Sequence, residues 1–503
     1  MVSTLPQRID ARIASFAYDR VVERIWARDH TVWKPEPVEI TDRLGWLEVA
    51  SDLRRQVPEL ESFARQAAAD GLRHVLLLGM GGSSLGPEVL RETFGAAPGM
   101  LDLLVLDSTH PQQIRETEAK LDLARTLVLV ASKSGTTIET TSHLDYFWSR
   151  IGQPEQFVAI TDPGSNLAAL GRQRGFRAVF ENRPDIGGRY SVLSHFGMVP
   201  ASLIGAPVAQ ILDDALAMSA RCAADVPASQ NPGVALGVAL AEASLHGQDK
   251  CHLVLPESMR TLGWWIEQLV AESTGKEGRG ILPVEGEALA APPQYGADRV
   301  FVAYEDSRPL RELEQAGHPV IRLDAAGLGG EFFRWEFATA VAGAVLEVQP
   351  FDQPNVQEAK DAAGIILGGG VPDVMPISLH DLLGTIEPGD YIAINAFISR
   401  NETNDARLEA VRTALAARHS VAVTVGYGPR FLHSTGQLHK GGPPSGAFIE
   451  VIDDITEDIA IPGRPYTFGK LLQAQALGDL AALLGRDRRA CRVRIEDLEA
   501  AAL

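Results

Sequence analysis

From residue 74 onward the chain alternates short aliphatic or aromatic runs with stretches of helical period, and this alternation restricts the fold more than any other feature. The first runs are His74–Leu78, Leu103–Leu106, Leu127–Val130 and Phe157–Ile160, each followed by a turn and a helix-like stretch. A βαβ series of this kind closes through right-handed crossovers, so the expected sheet is parallel and doubly wound. After a helix over Asp213–Ala223, a second series starts with the helix Pro232–His246 and the strand Cys251–Leu255. It continues through Arg299–Tyr304, Val320–Leu323, Tyr391–Ile394, Val421–Val425 and Ala447–Ile452. At 503 residues the chain is too long for one compact core. The expected organisation is a helical or irregular segment over residues 1–47, a first α/β domain over 48–226, and a second over 227–503 that ends in helical and strand elements. Two α/β units of similar plan fit this spacing.

Charge and cysteine usage remove several function classes. A net charge of −19, with no basic stripe interleaved with aromatics, argues against nucleic acid and anionic membrane as partners. An anionic ligand must then be held by a local, preorganised pocket. Cys222, Cys251 and Cys491 are too few and too widely spaced for a disulfide framework or a zinc site, which favours a reducing compartment. Met1–Asp10 has no apolar leader core and no apolar run is long enough to cross a bilayer, so a cytoplasmic location is expected.

Two loops leave a strand and enter a helix, where open backbone N–H groups and the helix dipole favour an anion. The first is Gly79–Pro87 (GMGGSSLGP): its glycines, Gly82 among them, allow close approach of a ligand, while Ser83 and Ser84 offer hydroxyls. The second is Ser132–Thr137 (SKSGTT), in which Ser132, Ser134, Thr136 and Thr137 make a donor-rich nest around Lys133 and Gly135. The plain reading of each is a strand-to-helix turn with a Ser or Thr cap. On neighbouring strands, both would open at the carboxyl edge of the sheet, where doubly wound folds bind ligands. GMGGSS also approximates a dinucleotide fingerprint with Ser84 in place of its last glycine and Asp107 in the ribose-binding position, although SKSGTT has no task in that reading. A Walker-type loop is absent.

Candidates for chemistry lie further along. In Thr261–Lys276, Leu262, Trp265, Ile266, Leu269 and Val270 share one helical face, and Gly275 supplies a stop. Gln268 and Glu272, four apart, share another face near the C-terminal end, where the negative end of the dipole raises a carboxylate's proton affinity towards that of a general base. From spacing alone, Glu272 reads better as a solvated glutamate on an exposed face. Arg189 lies in GGRYS, Lys360 closes PFDQPNVQEAK on a helix after Pro354, and His433 opens HSTGQ. Taken singly, these read as an ion-paired arginine, a surface lysine and a turn-capping histidine.

GMGGSSLGP, SKSGTT, GGRYS, ESTGK (Glu272–Lys276), FDQP and LHSTGQ together resemble signature segments of glucose-6-phosphate isomerases, and they span residues 79–437. Their order differs from that of the common bacterial enzymes. HSTGQ follows FDQP instead of preceding it, and Tyr466–Leu480 looks like a displaced copy of the helix that normally comes before FDQP. That order is similar to the isomerase half of bifunctional transaldolase/glucose-6-phosphate isomerases, which implies a functional link to a transaldolase. The resemblance implies a pair of sugar-isomerase (SIS-type) domains, each a three-layer α/β/α sandwich, acting without cofactor or metal on a sugar phosphate. It implies phosphate binding by Gly82, Ser83, Ser132, Lys133, Ser134, Thr136 and Thr137, with Gln268 orienting the sugar. It implies ring opening by His433 with Lys360, proton transfer by Glu272 and enediolate stabilisation by Arg189. It also implies a homodimer, because family sites are completed by a histidine from the partner subunit. The competing readings are a non-catalytic phosphosugar-binding protein of the same fold and a nicotinamide-dependent oxidoreductase.

Overall fold

The computed structural model describes residues 4–370 and 374–502. Residues 1–3, which open the stretch read above as lacking a leader, lie outside the described residues. Every strand pairing in the three sheets is parallel. The first sheet contains β1 (His74–Leu78), β2 (Asp102–Leu106), β3 (Thr126–Ala131), β4 (Phe157–Thr161) and β5 (Ala178–Glu181), in the order β2-β1-β3-β4-β5. Its central strands are apolar on both faces and, apart from the first residue of β1, His74, fully buried, as a sheet covered by helices on both sides requires. The strand order reverses direction between β1 and β3. Leu78 pairs with both Leu106 and Val130, so the turns that follow β1 and β3 emerge side by side at the carboxyl edge.

The second series, expected as one doubly wound unit, forms two four-stranded sheets. One contains β6 (Lys250–Val254), β7 (Leu282–Val284), β8 (Arg299–Ala303) and β9 (Val320–Arg322), in the order β7-β6-β8-β9. The other contains β10 (Tyr391–Phe397), β11 (Ala422–Tyr427), β12 (Gly446–Ile452) and β13 (Arg489–Arg494), in the order β11-β10-β12-β13. Leu282 and Val284 of β7 share an apolar cluster with Ala422 of β11, so the two edges face each other across packed side chains. Strands β5, β7 and β13 carry no clear signal in the sequence: AVFE is half-exposed, LPV is three residues long with a central proline, and RACRVR is half arginine.

The expected boundary near residue 227 falls between the helix Val208–Arg221 and the helix Pro232–Leu245, whose cap Asn231 accepts from Gly233 N and Val234 N. The largest apolar cluster crosses this boundary, running from Phe16 to Phe351. The N-terminal helical segment supports the site through that cluster. Trp46 packs on Tyr190 with ring centroids 5.3 Å apart, and Trp33 meets Phe351 edge-on at 5.0 Å. Truncating a buried aromatic of this size costs about 3–5 kcal/mol, so the GGRYS and FDQP turns rest on a stiff apolar backing. Among the described residues, no helix is long and apolar enough to cross a membrane.

Candidate active site

The turn after β1 is shaped by two glycines. Gly81 adopts a φ of +53°, which disfavours any side chain, and a Cβ on Gly82 would lie 1.9 Å from the Gly188 carbonyl oxygen. GMGGSS and GGRYS therefore touch backbone to backbone, which sets Ser83 and Arg189 on adjoining turns. Ser84 Oγ donates to Gly81 O (3.2 Å) and to Asp107 Oδ2 (3.1 Å), and the same Asp107 oxygen receives Arg430 Nε at 3.2 Å. The acid that would bind a ribose in the dinucleotide reading is thus already occupied.

The turn after β3 is held by its own hydroxyls. Gly135, at φ +69°, donates its N–H to Ser132 Oγ (3.1 Å), Ser132 Oγ lies 3.1 Å from Thr137 Oγ1, and Ser134 and Thr136 hydroxyls pair at 2.9 Å. Thr137 is the helix N-cap by position, yet its side chain makes no capping hydrogen bond. The plain capping reading fails at that residue. Ser134, Thr136 and Thr137 instead line a cavity of about 340 Å³ with Lys360 and His433. Two of the expected residues have side chains turned away from this cavity. The Lys133 side chain is bound by Asp162 and by the Pro184 carbonyl (2.9 Å), so its ammonium is neutralised away from the nest. Ser132 is 2% exposed and braces the turn from inside, so it does not line the cavity.

Reordering of the C-terminal segments leaves Lys360 and His433 at one site. Lys360 lies on the helix Val356–Leu367, which packs on the helix Phe468–Leu484; a Cβ on Gly478 would stand 2.9 Å from Ala359 O, so glycine allows the close approach. His433 Nε2 lies 2.9 Å from Glu139 Oε1, within one chain. Burial pushes the Glu139 carboxyl up, but the charge and hydrogen bond of His433, with Lys360 further off, outweigh it and hold the group below its ordinary range. His439, by contrast, is buried among Tyr391, Phe431 and Phe448, and desolvation keeps it neutral.

Behind His433 lies a second group. Gln268 Nε2 donates to the His433 carbonyl (2.8 Å) and to Glu272 Oε2 (3.1 Å), and Arg189 Nη1 stands 3.8 Å from that same Glu272 oxygen. The helix Leu262–Thr274 is buried on the face carrying Gln268 and Glu272 as well as on its apolar face, which removes the solvated-surface reading of Glu272. Arg189 Nη2 donates to Phe351 O (3.1 Å), Asp352 O (2.8 Å) and Gln353 Oε1 (2.7 Å), while its Nη1 is buried without a hydrogen-bond partner. A buried guanidinium nitrogen left open beside a carboxylate is costly unless a ligand meets it. Lys276 clamps the same FDQP turn through Asp352 O and Oδ1, both at 2.6 Å. Burial and the nearby Arg189 charge push its amine down to about 7. Gln437 closes the ring of contacts, donating to Gly275 O (3.0 Å) and accepting from Asn355 N (2.9 Å).

Glu139, Gln353, Lys276 and Gln437 were not singled out from the sequence. Gln353, Lys276 and Gln437 lie inside the segments FDQP, ESTGK and HSTGQ, where every polar residue is a candidate, and extending SKSGTT by two residues would have reached Glu139.

Residues 29–281, half of the chain, match the family model described as phosphoglucose isomerase; the segments bearing Lys360 and His433 lie beyond that match. A probable glucose-6-phosphate isomerase from Haloarcula marismortui is 29% identical over 356 residues, 59% of this chain and 79% of the relative. A glucose-6-phosphate isomerase from Thermosynechococcus vestitus is 32% identical over 276 residues, 51% of this chain and 50% of the relative. In fold, the chain is similar to a hypothetical protein from Thermus thermophilus, with a TM-score of 0.63 at 24% identity, over 73% of this chain and 97% of that one. The abutting glycine turns, the hydroxyl turn, Arg189 and the Gln268–Glu272 helix all lie within the matched residues, and the chain belongs to the phosphoglucose isomerase family.

Proposed function

We propose that the chain is an aldose–ketose isomerase that interconverts D-glucose 6-phosphate and D-fructose 6-phosphate without a cofactor. One observation carries this reading. A single bonded path runs from the hydroxyl-lined cavity through His433 and Gln268 to a carboxylate, Glu272, that is ion-paired with an arginine nitrogen lacking a hydrogen-bond partner.

In this reading the substrate phosphate is held by Ser134, Thr136 and Thr137, with Ser83 on the adjoining turn. Binding energy gained at this non-reacting end orients the reacting carbons. His433, with Lys360 across the cavity, moves the proton that opens the ring. Glu272 removes the proton from the carbon beside the carbonyl and returns it one carbon over. Arg189 Nη1 meets the negative oxygen that develops in between, and a fixed donor in a dry site is worth far more there than in water. Gln268 couples the two halves of the site, because the same amide touches the His433 backbone and Glu272.

A non-catalytic sugar-phosphate binder would keep the hydroxyl turn without needing a buried base, whereas this chain retains both Glu272 and Arg189. A reducing, cytoplasmic setting agrees with three buried, unpaired cysteines. The segment order supports a functional link to a transaldolase. A homodimer belongs to the reading but is not needed to supply the histidine, since His433 reaches Glu139 in the same chain. The test is incubation of chelator-treated protein with fructose 6-phosphate, following glucose 6-phosphate through a coupled dehydrogenase. Formation at an enzymatic rate supports the reading, and none above background ends it.

A further inference from the structure

Glu139 Oε1 receives a second hydrogen bond besides that of His433. Gln475 Nε2 donates to it at 2.7 Å, and Gln475 Oε1 accepts from Thr109 Oγ1 at 2.8 Å. Thr109 is fully buried and Gln475 is 5% exposed. The polarity of this chain of bonds follows from its one acceptor-only member. A carboxylate cannot donate, so the Gln475 amide must turn its NH₂ towards Glu139, and its carbonyl then requires the Thr109 hydroxyl as donor. On the other side, His433 must present Nε2–H to the same oxygen. Its Nδ1, which makes no hydrogen bond among the described residues, then carries the lone pair.

We propose that Thr109 and Gln475 are positioning residues that fix Glu139 and, through it, hold His433 in the tautomer protonated on Nε2, so that Nδ1 exchanges a proton with the sugar. The role of Nδ1 in turnover rests on the isomerase reading; the tautomer itself does not. In the step implied, Nδ1 takes the proton of the C1 hydroxyl, the C1–O5 bond breaks as C1=O1 forms, and the ring oxygen receives the proton back from Nδ1. The imidazolium formed in between is stabilised by Glu139. The other titratable groups around the pair are Lys360, the buried Lys440–Asp479 pair in the same wall, and His143, whose ring donates to Ser108 O and stays neutral.

The experiment combines nitrogen NMR of histidine-labelled protein, with His433 assigned by its loss in His433→Gln, and pH profiles of kcat/KM. Wild type is expected to show a protonated Nε2 and a bare Nδ1. Gln475→Met, which removes both hydrogen bonds at nearly constant volume, is expected to mix the tautomers. It should also lower kcat roughly tenfold with KM within about twofold, and move the acid limb of kcat/KM up by about one pH unit, the scale of one hydrogen bond to a charged group. A protonated Nδ1 in wild type, or wild-type spectra and acid limb in Gln475→Met, would overturn the proposal. Should that variant fold poorly, Thr109→Val is expected to shift the tautomer signal while Thr109→Ser keeps it; identical behaviour of the two would also overturn it. A wild type inactive towards both sugar phosphates would remove the isomerase reading and leave the tautomer decided by the spectra alone.

Discussion

Gly82→Ala probes the junction on which both halves of the site depend. The new Cβ would meet Gly188 O at 1.9 Å, Gly188 C at 2.3 Å and Arg189 N at 2.9 Å, whereas real Cβ contacts essentially never fall below 3.0 Å. All three atoms are backbone, so no side chain can swing aside, and one turn must move by about 1 Å relative to the other. The turn that moves carries either Ser83 or Arg189. Misplacing reacting groups by about 1 Å costs on the order of 100-fold in rate, and overpacking costs about 1–3 kcal/mol of stability. The control lies across the same contact: a Cβ on Gly188 would find nothing within 4 Å, and its φ is not in the left-handed region. The coupled assay and a thermal melt should therefore show Gly82→Ala with kcat/KM down roughly 100-fold and a melting temperature lowered by a few degrees. Gly188→Ala should stay close to wild type in both. Equal, near-wild-type behaviour of the two variants would refute the claim that this contact fixes the site.

Other expectations follow from the same geometry. Arg189→Ala should lower kcat by about 100-fold or more with a smaller rise in KM, as loss of a transition-state donor does; a pure KM effect would make it a binding residue only. Ser134→Ala and Thr137→Ala should weaken inhibition by a phosphosugar acid several-fold, and unchanged inhibition constants would remove the phosphate from that turn. Burial pushes His143 down to about 4, although its bond to Ser108 O opposes this. The folded state therefore holds it neutral while the unfolded chain takes up a proton below about 6.5, so its contribution to stability is full above that pH and falls as the solution is acidified towards 4. Between pH 6.5 and 5 the loss is about 2 kcal/mol. His143→Gln, which keeps a donor for Ser108 O, should flatten the fall in melting temperature over that window, and an unchanged slope would contradict the assignment.

What the sequence revealed of this molecule depended on burial and on separation along the chain. Strands β1, β3 and β4 are apolar on both faces and announce themselves, while β5, β7 and β13, at sheet edges, are short, interrupted by Pro283 or rich in arginine, and read as loops. The two turns proposed to hold phosphate were legible as strand-to-helix loops because each lies within a few residues of its strand. Lys133 sits inside the hydroxyl-rich turn, but only the fold reveals that Asp162 captures its ammonium. Glu139 was missed for a related reason. An acid in the first turn of a helix already has a reason to be there in the dipole, and its partners His433 and Gln475 are 294 and 336 residues away. The division of the second half into two sheets had no sequence signal, because strand spacing does not disclose which edges hydrogen-bond.

In the proposed mechanism Glu272 carries the proton between the two sugar carbons. Its most direct test is to incubate Glu272→Gln with fructose 6-phosphate in deuterium oxide and follow label entering the sugar at C1 by mass spectrometry and NMR. Binding of the sugar phosphate should persist while incorporation falls by several orders of magnitude relative to wild type. Exchange at the wild-type rate would show that another group moves the proton, and the assignment of Glu272 would be wrong.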